Sequence, residues 1–147
     1  MGRQILIVDD EPGYAQTLCE RLEPRGYAAR ACTDPAEALV LFRAEPVAVV
    51  LLDLWMPGID GIEVLRRIKR IRPLTEVILL TGHAAPDSAV EAVRLGIFEY
   101  LTKDSSFESL TKKIDAALAR FDMHHDRIEQ ARRAAQDRDP IIDGDSC

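Results

Sequence analysis

Five polar side chains stand where short strand-like runs end: Asp9 and Asp10 after Ile5–Val8, Asp53 after Val47–Leu52, Thr81 after Val77–Leu80, and Lys103 after Phe98–Thr102. Unbroken apolar runs rich in Val and Ile read as strands buried on both faces, the pattern of a parallel sheet. In an open parallel sheet the strand ends share one edge, and ligands bind in the crevice there. Three carboxylates gathered at that edge repel one another unless a cation offsets them. The set holds no Cys or His, so its oxygen ligands suit Mg²⁺ rather than zinc. Lys103 adds a positive charge, and Thr81 a hydroxyl donor, beside the same acids. Together these groups suit a phosphoryl group, whose transferred oxygens need neutralising charge and a hydrogen bond. Asp53 is the candidate nucleophile, because carboxylates accept phosphoryl groups as acyl phosphates.

The elements that must position these groups alternate along the chain. Tyr14, Leu18 and Leu22 share one helical face, and Pro24 and Gly26 close it. Tyr27–Ala31 is a weaker strand, expected nearer an edge. Asp34, Pro35 and Glu37 make a helix start, with Leu39 and Phe42 pointing inward and Pro46 beyond the end. After Asp53, Pro57-Gly58 and Asp60-Gly61 are turn signals. Ile62, Leu65, Ile68 and Ile71 then repeat at helical spacing, with Arg66, Arg67, Lys69 and Arg70 on the solvent side, and Pro73 ends that helix. Pro86 and Asp87 open another, with Val90 and Val93 expected inside and Gly96 as its stop. Ser105 with Glu108 forms a capping-box pattern for the last helix. Strand and helix alternate five times, which predicts a parallel sheet with helices on both faces.

Composition limits the function classes. The 147 residues fit one domain with a modest extension, and the net charge of −6 without a Lys/Arg run argues against direct nucleic-acid binding. No run approaches the roughly 20 apolar residues of a membrane span. The first residues, MGRQILIVDDE, do not form a secretion signal. Cys19, Cys32 and Cys147 have no metal-ligand spacing, which points to a reduced, cytoplasmic compartment. Beyond Arg120 the spacing of Phe121, His124, Ile128, Ala131 and Ala135 continues a heptad-like seam begun at Phe107, which reads equally as a dimerising or signal-carrying helix and as a solvated helix on a monomer. Asp139-Pro140 is expected to break it, leaving a disordered end. The adjacent His124 and His125 point to different helix faces and read as solvated.

The runs VDDE, LLDLWMPGIDGIEVL, ILLTGHA and EYLTK resemble, in order and spacing, the receiver domain of bacterial two-component response regulators. The resemblance covers about Gln4 to Phe121. It divides the chain into a receiver domain over 1–121 and a helical extension and tail over 122–147. It implies a doubly wound five-stranded α/β fold of flavodoxin-like order 2-1-3-4-5. It further implies a phosphorylation-controlled switch rather than a turnover enzyme. In it, Asp53 takes a phosphoryl group from a sensor histidine kinase or phosphotransfer protein. By the same resemblance Asp10, Asp53 and the backbone carbonyl of Trp55 hold Mg²⁺, with Asp9 acting partly through water. Thr81 and Lys103 contact the phosphoryl oxygens. Tyr100 matches the switch aromatic that moves inward as Thr81 engages the phosphoryl group.

Three positions bear on how the switch behaves. The family carries a cis proline after the lysine, where this chain has Asp104. A cis bond to another residue costs roughly 3–4 kcal/mol, so a trans bond is expected. Trp55 and His83 lie two residues past Asp53 and Thr81, where they are expected to influence loss of the phosphoryl group. Two other classes compete. A phosphatase of the haloacid-dehalogenase type also uses an aspartyl nucleophile with Mg²⁺. It needs a second acid two residues on, where Trp55 stands. A degenerate receiver would serve only for interaction or dimerisation, against which the complete set of acids argues.

Overall fold

The computed structural model describes residues 4–82 and 86–145. His83 lies outside the described residues. β1 (Gln4–Val8), β2 (Ala28–Cys32), β3 (Val49–Leu52), β6 (Glu76–Thr81) and β7 (Glu99–Thr102) form one parallel sheet in the order β2-β1-β3-β6-β7. A two-stranded hairpin, β4 (Trp55–Met56) and β5 (Ile59–Asp60), follows β3 and is not part of that sheet. The helices are α1 (Pro12–Leu22), α2 (Pro35–Ala44), α3 (Gly61–Ile71), α4 (Pro86–Arg94) and α5 (Phe107–Asp145). The five sheet strands therefore have the doubly wound 2-1-3-4-5 order, with Ala28–Cys32 at an edge as expected.

Although the runs Ile5–Val8, Val49–Leu52 and Val77–Leu80 within β1, β3 and β6 are unbroken apolar stretches, their side chains still divide by twos between the two faces of the sheet. Leu6, Val8, Val50, Leu52, Val77 and Leu79 pack with Phe42, Leu65, Ile68 and Ala92 from α2, α3 and α4. Ile5, Ile7, Val49, Leu51, Ile78 and Leu80 pack with Leu18, Leu22, Leu110, Ile114 and Leu118 from α1 and α5. Both faces are covered, which is why these strands carry no polar alternation.

Several local expectations are corrected. Val90 and Val93 are exposed, at 54% and 66%, and Ala92 is the α4 residue that is fully buried. A small side chain lets α4 approach the sheet, so chain spacing weighted by residue size picks the wrong face. The last helix is capped by Ser106, whose Oγ accepts from Ser109 N at 3.0 Å, and not by Ser105. Ser105 instead donates its N–H to Thr102 O at 3.0 Å. Lys69 does not sit with the solvated Arg side chains; its Nζ donates to Pro73 O at 2.9 Å and Thr75 O at 2.8 Å. α5 continues through Asp139-Pro140, where a break was expected. A proline removes one helical hydrogen bond and strains the preceding turn, which bends a helix as readily as it ends one.

Candidate functional site

Register carries the candidate residues to one place. Val8 pairs with Leu52 and Leu52 with Leu79, so Asp9 and Asp53, each one residue further on, emerge side by side. The Asp53 N–H donates to Val8 O at 3.0 Å, which pins the start of the loop to β1. Thr81 pairs with Thr102, and Lys103 N donates to Thr81 O at 2.8 Å, so the lysine leaves the sheet at the same edge. Asp9, Asp53 and Thr81 are buried there, Asp10 is half-buried, and Trp55 is 48% exposed at the mouth.

The loop after β3 is held by its own turn chemistry. Pro57 followed by Gly58 at φ 74° fits a type II turn, whose third residue requires positive φ. Asp60 closes the hairpin and caps α3, its Oδ1 accepting from Ile62 N at 3.0 Å and Glu63 N at 3.4 Å. Gly61 opens α3 against the Leu54 backbone, so closely that an added Cβ would lie 2.5 Å from Leu54 O. Trp55 N donates to Asp53 Oδ1 at 2.9 Å, and Glu11 N to Asp9 Oδ1 at 3.0 Å, so backbone donors orient both buried acids.

Carboxylate oxygens of Asp9, Asp10 and Asp53 all lie within 4.8 Å of one another. Lys103 reaches into the same cluster. Its Nζ lies 2.7 Å from Asp9 Oδ2, 2.7 Å from Glu11 Oε1 and 3.2 Å from Asp53 Oδ2. The Tyr14 ring faces it, with the centroid 4.5 Å from Nζ. Burial works to pull the Lys103 ammonium down, but its bonds to Asp9 and Glu11 and the charges of Asp9 and Asp53 hold it above its usual value. Burial pushes the Asp9 carboxyl up, against the pull of Lys103 and the Glu11 N–H. The Asp9 shift is set chiefly by its burial, and the Lys103 shift by the acids gathered around it.

The geometry thus gathers Asp9, Asp10, Asp53 and Lys103, with Thr81 on the adjoining strand. Tyr100 sits on β7, opposite Leu79, half-buried against the α2–α4 side of the core. No cis peptide bond occurs among the described residues, Lys103-Asp104 included. The Asp104 carboxylate accepts the Thr102 hydroxyl. Sequence reasoning passed over Glu11 and Tyr14 as partners of Lys103. The only signal for Glu11 was its place immediately after the two acids that follow β1.

Comparison with known proteins agrees with the geometry. The response regulator receiver domain model matches residues 5–115, and the chain belongs to that family of phosphorylation-controlled switches in bacterial two-component signalling. It is 35% identical over 138 residues to the transcriptional regulatory protein GlrR of Escherichia coli K12, covering 94% of this chain and 31% of that protein. It is also 35% identical over 120 residues to the nitrogen assimilation regulatory protein NtrX of Azorhizobium caulinodans, covering 80% of this chain and 26% of NtrX. The chain therefore spans about a third or less of these relatives. Among solved structures, a CheY-like receiver domain protein from Methanospirillum hungatei superposes with a TM-score of 0.80 at 27% identity, over 83% of this chain and 98% of that one. The beryllofluoride-activated NtrC4 receiver domain dimer gives 0.76 at 35% identity, over 82% and 99%. Among the described residues, no helix is long and apolar enough to cross a membrane.

Proposed function

We propose that Asp53 is the phosphoacceptor, receiving its phosphoryl group from the phosphohistidine of a sensor kinase or phosphotransfer protein. An Asp53 carboxylate oxygen forms the new P–O bond as the donor's P–N bond breaks, and the departing imidazole nitrogen takes up a proton. The single observation that carries this reading is the meeting of three carboxylates within 4.8 Å with an ammonium 3.2 Å from Asp53 Oδ2. The all-oxygen donor set fits Mg²⁺, for which Asp9, Asp10, Asp53 and the Trp55 carbonyl would be the ligands. When bound, the ion supplies charge neutralisation for the transferred oxygens. Lys103 and Thr81 bind and orient those oxygens, Lys103 through its ammonium and Thr81 through its hydroxyl.

The switch then runs from Thr81 and Tyr100 to the surface formed by α4, β7 and α5, with Trp55 and His83 modulating loss of the phosphoryl group. Turnover is confined to gain and loss of that group. The receiver unit spans 1–121, and 122–147 is an extension through which a second copy pairs. Ile128, 52% exposed on α5 and in line with the seam, supports that pairing surface. The free thiols of Cys19 and Cys32 support a cytoplasmic setting. The test is incubation with Mg²⁺ and phosphoramidate, followed by intact mass and peptide mapping. One base-labile phosphoryl group on Asp53, absent from Asp53→Asn, is the expected result. Modification elsewhere, or none in a folded protein, refutes the assignment.

A further inference from the structure

We propose that Glu11 is a positioning residue for Lys103, tethering its ammonium toward the β1–α1 loop and thereby slowing phosphoryl transfer to Asp53. The inference rests on the phosphoacceptor reading of Asp53 and adds a residue outside the acid cluster. An ammonium has three N–H donors. Asp9 and Glu11 each accept at 2.7 Å and Asp53 stands 3.2 Å away as an ion-pair partner, so three carboxylates surround the ammonium. The two short contacts both belong to the segment that follows β1, and draw the ammonium away from Asp53. Glu11 also forgoes another use of its carboxylate. It stands at the N-cap of α1 with extended backbone, φ −90° and ψ 100°, yet its side chain caps no helical N–H. That acid is turned to Lys103 instead.

Exposure decides which partner gives way. The Glu11 side chain is 65% exposed, against 3% for Asp9 and 4% for Asp53. An ion pair with one member in water is weak and readily exchanged. When a phosphoryl group needs a donor from Lys103, the bond to Glu11 is the one released. Until then Glu11 keeps that donor occupied.

The test measures the phosphorylation rate of the full chain by intact mass, with phosphoramidate as donor and saturating Mg²⁺. Glu11→Gln is expected to react about two- to fivefold faster, the range set by a single exposed ion pair. Glu11→Asp keeps the charge on a shorter arm, and is expected to approach the rate of Glu11→Gln. In a Lys103→Met background the gain from Glu11→Gln is expected to vanish, which a general charge effect would not do. Three results overturn the tether: no gain in Glu11→Gln, a wild-type rate in Glu11→Asp beside a faster Glu11→Gln, or a gain that persists without Lys103. Failure of the underlying reading is distinct, because wild-type protein would then take up nothing on Asp53, and the tether falls with it.

Discussion

Replacing Gly61 with Ala tests how tightly the loop bearing Asp53 is fixed. The new Cβ would lie 2.5 Å from Leu54 O, 2.6 Å from Leu54 Cα and 2.9 Å from Leu54 C. All three are backbone atoms, so no side chain can swing aside. To regain ordinary contact at about 3.5 Å, α3 and the loop must separate by about 1 Å. Overpacking of this kind costs roughly 1–3 kcal/mol, and the better helix propensity of Ala returns up to about 1 kcal/mol. With the full return, the net expectation is a loss of about 0–2 kcal/mol in urea unfolding. Leu54 follows Asp53 directly, and Trp55 N holds Asp53 Oδ1 at 2.9 Å, so the displacement reaches the carboxylate. A misplacement near 1 Å lowers reaction rates by up to about 100-fold, and phosphorylation of Gly61→Ala is expected to slow by about 10- to 100-fold. Gly13→Ala is the control: nothing lies within 4 Å of its Cβ, and it is expected to stabilise by about 0.4–1 kcal/mol. A Gly61→Ala protein with wild-type midpoint and wild-type phosphorylation rate would refute the argument from close approach.

Two further outcomes follow from buried and paired groups. Arg120 binds Glu76 through two nitrogens, with Nη2 to Oε1 at 2.9 Å, and Glu76 is only 3% exposed. Arg120→Ala strands that carboxylate and is expected to cost about 1–3 kcal/mol in thermal or urea unfolding, with Glu76→Gln recovering part of the loss in the double variant. The Tyr27 hydroxyl donates to Asp115 Oδ1 at 2.5 Å; burial first, and then Asp115, push the phenol up to about 12. Because the folded value lies above the ordinary 10.0, this contribution to stability is complete below pH 10 and is lost as pH rises toward 12. Ultraviolet titration is expected to find one tyrosine ionising near there, moving downward in Asp115→Ala.

What the sequence made legible was whatever burial writes as an unbroken pattern. The runs Ile5–Val8 and Val77–Leu80 lie within observed strands because both of their faces are covered, and the acids after them fall where the sheet ends. Sheet order came from likeness to a family, since periodicity says nothing about which strands are neighbours. Some errors share a cause: contacts between distant segments leave no local trace. Val90 and Val93 have the spacing of a buried stripe, but Ala92 is what the neighbouring elements accommodate. Glu76 meets its partner only when Arg120, 44 residues later, is placed against it. Lys69 is a local exception: its partners stand only four and six residues on, where the turn at Pro73–Thr75 brings two carbonyls back to it. Glu11 acquires its partner only when Lys103 arrives from 92 residues away.

The 39 residues of α5 have a mechanical consequence. At 1.5 Å per residue the helix is about 58 Å long, and the portion beyond Phe121 projects about 36 Å. Its seat is narrow, because Leu110, Ile114, Ala117 and Leu118 are buried while Met123 and Ile128 are not. A rod held near one end works as a lever arm: tilting the seat by about 5° sweeps the far end about 3 Å, given that projection. Repacking too slight to disturb the sheet is thereby magnified into a displacement as large as a side chain.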